Sequence, residues 1–520
     1  MNLGRALSRA ACHFKERCSL SCAGKTRTFT EIDENSNRFV NGLLKLGVKK
    51  TDRVAILSDN CVEYVEIDFA LYKGGMIRVG INPMVSSREA EYMISDSGAN
   101  TIIVSLGLLS LISSIMNKLP SVKNYICISE KPVPERIIKY QDFIEVQDVN
   151  YPKIQVDEDD IAMLFYTGGT TGIPKGAMHT HEGIINVVMN LQSEYLQLNR
   201  TDVLLSGGSL AHANGFRAIL CFLEGAKFII PVGFLPKEIF ETVEREKVTV
   251  LCTVPTTLTR LSSYPDIKRY NLNSLRLITY GAAPMPTDTL KKVLKIFGNR
   301  LAQGYGQAEA LMAITHLSQE DHILEGAEKD ARKLASAGRP YSTVDVRIVD
   351  NRSEDVKPGE AGEVIVKGKI TMRGYWNNPE ATAEAIRDGW VYTGDIGTVD
   401  EDGYIYLIDR KKDMIISGGY NIYAREVEDV LHSHPAIAEA AVIGVPDDEW
   451  GESVKAVVTL KPGMTATEEE IIQFCKERLS SYKKPKSLDF VVELPKTSVG
   501  KISKKDLRAK YWEGQERAVH

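Results

Sequence analysis

Through the first four hundred residues, helix-length amphipathic segments alternate with short β-branched runs. The segment "FTEIDENSNRFVNGLLKLGV" predicts a helix with Phe39, Leu43, Leu44 and Leu46 inward, and "RVAILSD" follows as a buried strand. "NTIIVS", "KNYICIS", "KFIIPV", "VTVLCTVP" and "LRLITYGAA" are further apolar runs, most separated by helix-length segments. That alternation predicts an α/β architecture with largely parallel sheets. At the N-terminus, Leu3, Leu7, Ala10, Ala11 and Phe14 keep the stripe of a first helix.

After about Asp350 the texture changes to Gly- and turn-rich strands, as in "DGWVYTGDIGTVDEDGYIYLIDR". Beyond it "AREVEDVLHSH" predicts a helix, "EAAVIGVPD" and "SVKAVVTL" strands, and "TEEEIIQFCKERLSSY" an amphipathic helix, together a compact α+β unit. The boundary is expected in "IDRKKD", dividing the chain into residues 1–409 and 410–520. No internal repeat or low-complexity tract interrupts this plan.

The bulk properties narrow the class. A chain of 520 residues, 43% hydrophobic and 26% charged, is that of a multi-lobed globular protein. A formal net charge of −5 provides no basic field for nucleic acid or anionic lipid. No apolar run is long enough for a spanning helix. The eight cysteines lack paired metal-site spacing or a disulfide framework and read as reduced thiols, so a cytoplasmic location is expected. The group Cys12, His13, Cys18 and Cys22 matches no common ligand pattern. The arginine-containing "MNLGRALSRAACHFKERC" admits a presequence reading, against which stands the helical stripe.

Candidate chemistry begins at "YTGGTTGIPKG", Tyr166 to Gly176, between the predicted strand "IAMLFY" and the predicted helix "HEGIINVVMNLQ". Glycines let backbone amides approach an anion and threonine hydroxyls add donors, which suits a polyphosphate; the alternative is a solvent-exposed turn. It is not a Walker A loop, because Ile173 and Pro174 separate Gly172 from Lys175.

With this loop come "SLAHANG", "LITYGAAPM", "QGYGQAEA", "GEVIVKGKITMRGYWNNPEAT", "WVYTGDIG", "IDRKKDMIISGGYNIYAREVE" and "PKTSVGKISKKDLR", in that order. The series resembles the adenylate-forming superfamily of acyl-CoA synthetases, aryl-CoA ligases, firefly-type luciferases and peptide-synthetase adenylation domains, over nearly the whole chain. The resemblance implies a large N-terminal lobe of αβ subdomains with a small β-barrel-like subdomain, and a mobile C-terminal lid. It also implies two half-reactions: a carboxylate attacks the α-phosphate of ATP to give an acyl-adenylate and pyrophosphate, then a thiol displaces AMP. Anion attacking anion needs cations and oriented donors, and a water-labile adenylate needs a closing lid.

By the same resemblance Thr167, Gly168, Gly169, Thr170, Thr171 and Gly172 hold the β- and γ-phosphates, with Lys175 as an ATP-side cation. Gly168 stands where many members have serine. Gly281, Ala282 and Ala283, with Gln303, Gly304, Tyr305 and Gly306, line the adenine and acyl-adenylate slot. Glu309 is the implied Mg²⁺ carboxylate, with Thr170 the other implied metal contact. Ala308 replaces a usual threonine, removing one hydroxyl contact to AMP. Asp395 matches the ribose-binding carboxylate, Arg410 reaches ribose or phosphate, and Lys412 is the hinge. Lys501 matches the lysine that bridges carboxylate and α-phosphate in the adenylating conformation. After rotation, Gly418 and Gly419 admit the pantetheine chain of coenzyme A. His212 is singled out by its place in "LAHANG" as a gate to the carboxylate pocket. His179, His181, His432 and His434 read as structural.

The reading is therefore an ATP-dependent, AMP-forming ligase joining a fatty or aryl acid to coenzyme A, with ATP and Mg²⁺ as cofactors and a homodimer compatible with it. An enzyme loading a carrier protein is the alternative; no carrier module follows Lys501. A luciferase-like oxygenase has no distinctive feature asking for it, and a catalytically dead binding protein is expected to have lost Lys501, Glu309 or Asp395. The acyl pocket falls between about His212 and Met312, where Phe216, Tyr280, Met285, Leu311 and Met312 make it largely apolar. An outward-facing surface position is expected for Arg217; inward, it would favour a second carboxylate or a hydroxyl on the substrate.

Overall fold

The computed structural model describes all residues except 1, 168–172, 232, 284, 325–331, 419, 497–501 and 513–520. Two compact units are formed. The first runs to Thr167 and takes in Pro174–Val346 and Val366–Val391; the second holds Arg347–Ile365 and the chain from Tyr392.

The first unit is built on two sheets. In one, the order is Ile138–Lys139, Asn124–Ile128, Thr101–Ser105, Arg53–Leu57, Ile77–Ile81, Ile161–Tyr166, Gly176–Thr180, parallel until the last, antiparallel pair. Its central strands are runs of Val, Ile and Ala buried along their length, the pattern of a parallel sheet covered on both faces. The other, nine-stranded sheet has a parallel centre of Leu301–Tyr305, Leu277–Gly281, Val250–Cys252, Val203–Ser206, Lys227–Ile230 and Cys18–Cys22, with antiparallel strands at its edges.

The helix Phe29–Lys45 opens on a reciprocal cap: Glu31 N donates to Thr28 Oγ1 at 3.1 Å, and Thr28 N donates to Glu31 Oε2 at 2.7 Å. Phe39 and Leu43 are buried as the pattern predicts. Leu46 is not: it caps the helix and is 38% exposed, because the helix ends one residue before it and the inward stripe no longer applies. Helix Val62–Gly74 is buried on every side, charges included. Arg78 Nε pairs with Asp68 Oδ1 at 2.6 Å, Arg27 Nε pairs with Glu66 Oε1 at 2.7 Å, and Lys73 donates to Asp33, Ser36 and Asn37. Such charges keep their place only because each is paired and hydrogen-bonded.

One expectation is corrected at the glycine-rich loop. Strand Ile161–Tyr166 is followed by a second strand, Gly176–Thr180, before helix His181–Asn190 begins. The loop therefore closes a β-hairpin, with Tyr166 opposite Gly176, and does not run straight from strand to helix. The five residues "GAMHT" are too short and too mixed to announce a strand; their pairing with the preceding strand makes them one.

In the second unit, Tyr420–Ile422, Ile415–Ser417, Gly451–Leu460 and Ile437–Asp447 form an antiparallel sheet, with Ser487–Phe490 added in parallel on Gly451–Leu460. Helices Ala424–His432 and Glu468–Lys476 cover it, with Val427, Leu431, Ile471 and Cys475 packed on Val442, Ala456 and Val458. All eight cysteines are free. Among the described residues, no helix is long and apolar enough to cross a membrane.

Candidate active site

The hairpin fixes both ends of the glycine-rich loop. Thr167 N donates to the Lys175 carbonyl at 3.0 Å, and Lys175 N donates to Thr167 Oγ1 at 3.3 Å. Gly168, Gly169, Thr170, Thr171 and Gly172 lie outside the described residues. From the end of this hairpin the Lys175 ammonium sits over the Tyr375 ring, 4.5 Å from its centroid. The Tyr375 hydroxyl in turn donates to Glu309 Oε1 at 2.7 Å. Burial and the neighbouring Glu309 carboxylate both push the Tyr375 phenol well above its ordinary range, so it stays a donor. A cation, an aromatic face and an oriented carboxylate thus stand in line.

Tyr375 carries no role in the sequence reading although it lies within the motif "GEVIVKGKITMRGYWNNPEAT". Its only signal there is an aromatic residue with a hydroxyl in a stretch otherwise read as Gly- and turn-rich strands. The structure joins it to Glu309 twice over, since Met372 N also donates to the Glu309 carbonyl at 2.8 Å.

Glu309 projects from a single turn, Ala308–Ala310, that follows strand Leu301–Tyr305. The turn is held by His179, whose Nε2 lies 2.8 Å from the Ala308 carbonyl and so carries the proton. Just beyond it Leu311 and Met312 both take left-handed backbone, φ 42° and 64°, a strained arrangement for two side-chain-bearing residues. A Cβ on Gly306 would come within 2.3 Å of the Met312 backbone, so only glycine lets the strand end meet this kink. Gln303, Gly304 and Tyr305 form the end of the strand, half-buried beside Gly281, the last residue of Leu277–Gly281. A Cβ on Gly281 would lie 2.4 Å from the Gly304 carbonyl oxygen, so the two strands meet backbone to backbone at this pair. Ala282 follows with φ 66° and is exposed; Ala283 is half-buried.

The segment before helix Ala213–Glu224 is gripped by Arg78 of the other sheet and by Asn60, which follows strand Arg53–Leu57. Leu210 N donates to Asn60 Oδ1 at 2.9 Å and Asn60 Nδ2 donates to the Gly208 carbonyl at 2.8 Å. Arg78, 2% exposed, donates Nη2 to the Leu210 carbonyl at 2.8 Å. His212, at the start of the helix, has its Nε2 3.4 Å from Asn82 Nδ2 and its ring 5.5 Å from that of Phe165. Arg217 departs from expectation. It is partly buried and turned inward: Nη1 donates at 2.8 Å to Oδ1 of Asn214, itself only 1% exposed.

Buried histidines flank the site and titrate far from their usual range. Burial lowers His179, His181 and His322 from 6.5 to about 4, with backbone bonds from Ala308 and Ser318 or the charge of Asp160 opposing it in part. The unfolded chain binds these protons near 6.5 and the folded chain only near 4, so stability rises with pH across that window and is lost as pH falls through it. Asp68, raised to about 6 by burial, opposes them, as do Glu66, Glu224, Asp409, Glu428 and Asp429, whose carboxyls burial also raises. We expect His179→Gln to remove about one proton from the slope of stability against pH between 6.5 and 4, about 1.4 kcal/mol per pH unit, read as the difference in denaturation midpoints from wild type. An unchanged slope in that variant counts against a neutral His179.

In the second unit, Asp395 and Arg410 face each other across antiparallel strands Trp390–Val399 and Ile405–Arg410. Arg410 Nε lies 2.6 Å from Asp395 Oδ1, and the carboxylate is 8% exposed. Lys412 follows in the turn Lys411–Asp413; burial pushes its ammonium down to about 8, with Asp413 opposing and Arg410 and Arg508 adding. Gly418 takes φ 57°, and a Cβ there would strike the Trp450 ring at 2.4 Å. What approaches its backbone here is that indole. Gly419 and Lys501 lie outside the described residues. Among the described residues no cluster of three His, Cys, Asp or Glu side chains could hold a metal ion, the Cys12 group included.

Comparison with known proteins bears on this arrangement. The family model described as "AMP-binding enzyme" matches residues 7–376, and that described as "AMP-binding enzyme C-terminal domain" matches residues 426–501. A long-chain-fatty-acid–CoA ligase of Bacillus subtilis is 36% identical over 96% of this chain and 93% of its own. A feruloyl-CoA synthase of an Amycolatopsis species is 37% identical over 94% of each. The crystal structure of an anthranilate CoA ligase in complex with anthranoyl-AMP superposes with a TM-score of 0.87 at 29% identity, covering 98% of this chain and 97% of that one.

Proposed function

The chain belongs to the AMP-binding enzyme family, carrying both its AMP-binding and its C-terminal domain, and from that premise we infer an ATP-dependent, AMP-forming ligase that joins a fatty or aryl carboxylic acid to coenzyme A. Full-length similarity to acid–CoA ligases carries the reaction class. The observation that best supports the assignment within the site is the line Lys175, Tyr375, Glu309, reached from the end of the glycine-rich hairpin.

In the first half-reaction a carboxylate oxygen of the acid bonds to the α-phosphorus of ATP and the bond to the β-phosphate oxygen breaks, releasing pyrophosphate. In the second, the thiolate sulfur of coenzyme A bonds to the acyl carbon and AMP leaves with the electron pair. Lys175 is proposed to balance the charge of the departing pyrophosphate, its position set by the Tyr375 ring. Glu309, a hard oxygen donor oriented by the Tyr375 hydroxyl, fits the role of Mg²⁺ ligand. A bound Mg²⁺ supplies charge neutralisation on the phosphates. The paired glycines Gly281 and Gly304 are proposed to form one thin backbone wall of the slot that takes the adenine base. His212 is proposed to sit at the carboxylate end of the acyl pocket, where Asn82 and Phe165 hold it.

Asp395 is proposed to accept from the ribose hydroxyls and Arg410 to accompany it, consistent with their pairing. Lys412, Gly418, Gly419 and Lys501 keep their proposed hinge, thiol-side and adenylating roles. A cytoplasmic location fits eight free thiols.

The test is pyrophosphate release across a panel of carboxylic acids, with and without coenzyme A. Acid-dependent pyrophosphate with acyl-CoA formation is expected. No acid-dependent pyrophosphate overturns the reading, and pyrophosphate without acyl-CoA redirects it to a carrier-protein acceptor.

A further inference from the structure

The inward arginine of helix Ala213–Glu224 raises a question of charge balance. Arg217 has five N–H donors, and its one hydrogen bond among the described residues goes to Asn214 Oδ1, an oxygen already accepting from Ser206 Oγ at 2.7 Å. No carboxylate among the described residues lies within ion-pair distance of it, although the other inward cations of this unit, Arg27, Lys73 and Arg78, each have one. Its positive charge is felt by the buried phenols Tyr195 and Tyr341, where it opposes the much larger effect of burial.

These phenols tie Arg217 to the site. The Tyr195 hydroxyl donates to the Tyr280 carbonyl at 3.3 Å, and a Cβ on Gly304 would stand 3.2 Å from that hydroxyl. Tyr195 therefore backs the wall formed by Gly281 and Gly304. One residue before Arg217, Phe216 stacks on Phe165, which also touches His212. The helix thus offers an apolar side at Phe216 and a cation at Arg217, both behind the proposed carboxylate end.

A partly buried guanidinium with one hydrogen bond and no carboxylate within ion-pair distance among the described residues keeps donors that a ligand oxygen can take. We propose that Arg217 is a specificity-determining residue, receiving a second hydrogen-bond-accepting group, a carboxylate or a phenolic oxygen, on the acid that the enzyme activates. The proposal rests on the ligase reading above and narrows its substrate class from fatty or aryl acids to acids with a second polar terminus. A guanidinium suits this task because it offers paired donors to planar oxygens and stays charged. A pocket built to bond such a group rejects the analogue that lacks it more strongly than an apolar pocket rejects an extra methylene.

The experiment compares matched acids, octanoate with octanedioate and cinnamate with p-hydroxycinnamate, by kcat/KM for pyrophosphate release. The wild type is expected to prefer the member with the second polar group in at least one pair by about tenfold or more. Arg217→Ala should abolish that preference while leaving the KM for ATP unchanged, and Arg217→Lys should restore part of it. Should Arg217→Ala fail to fold, Arg217→Gln, which keeps a donor for Asn214, takes its place. A wild type that prefers the plain acid in both pairs, or a preference unmoved by substitution, overturns the proposal while leaving the ligase reading intact. Absence of pyrophosphate with every acid overturns both.

Discussion

Glu309→Gln is expected to reduce acid-dependent pyrophosphate release by about 10²- to 10³-fold, the scale on which single charged or oriented groups act at a developing anionic centre. The substitution keeps the shape of the side chain and an oxygen able to accept from Tyr375, so the turn Ala308–Ala310 should remain folded. What it removes is the negative charge that fits a divalent cation. Raising Mg²⁺ should therefore recover part of the loss. Tyr375→Phe tests the same arrangement from outside: losing the 2.7 Å bond to Glu309 leaves the charge but frees its orientation, and a 10- to 100-fold fall in metal affinity or activity is expected, in the range for outer-shell partners. Wild-type activity in Glu309→Gln with unaltered Mg²⁺ dependence would sink the proposed role.

The second large effect separates the two half-reactions. Lys501→Ala is expected to slow acyl-adenylate formation by about 10²- to 10³-fold, because a cation bridging the carboxylate and the α-phosphate acts where charge concentrates. Thioester formation from supplied acyl-adenylate and coenzyme A should stay within a few-fold of wild type, since that step is proposed to use the face carrying Gly418. Pyrophosphate release measures the first step and AMP release from the purified adenylate the second. Equal loss in both would argue that one conformation serves both steps.

Most of the scaffold was legible because its core strands are short, β-branched and buried, as at "RVAIL" and "TIIVS", and its helices carry recognisable caps such as Thr28 with Glu31. The strand "GAMHT" was not, since its order comes from pairing with Ile161–Tyr166 across a loop. Helix Val62–Gly74 shows a different limit: Glu63, Glu66, Asp68 and Lys73 look like a solvated face in sequence, and only partners such as Asp33 and Arg78 explain their burial. Within the site, Lys175 and Glu309 were marked by motif order. Tyr375, which stands between them, was not marked, because its importance is a contact across 66 residues. Arg217 was read outward for a related reason: helical position alone does not say which residue turns toward the buried Asn214.

The grip on residues 208–212 by Asn60 and Arg78 has a consequence for how such an enzyme changes over time. Because the backbone ahead of His212 is ordered by the fold itself, the entropy of placing it is lost during folding and not at each encounter with substrate. Helix Ala213–Glu224 can then exchange side chains such as Phe216 or Arg217 against a fixed frame. On the proposed reading, a single substitution on this helix face changes the acid accepted while the backbone ahead of His212 keeps its place.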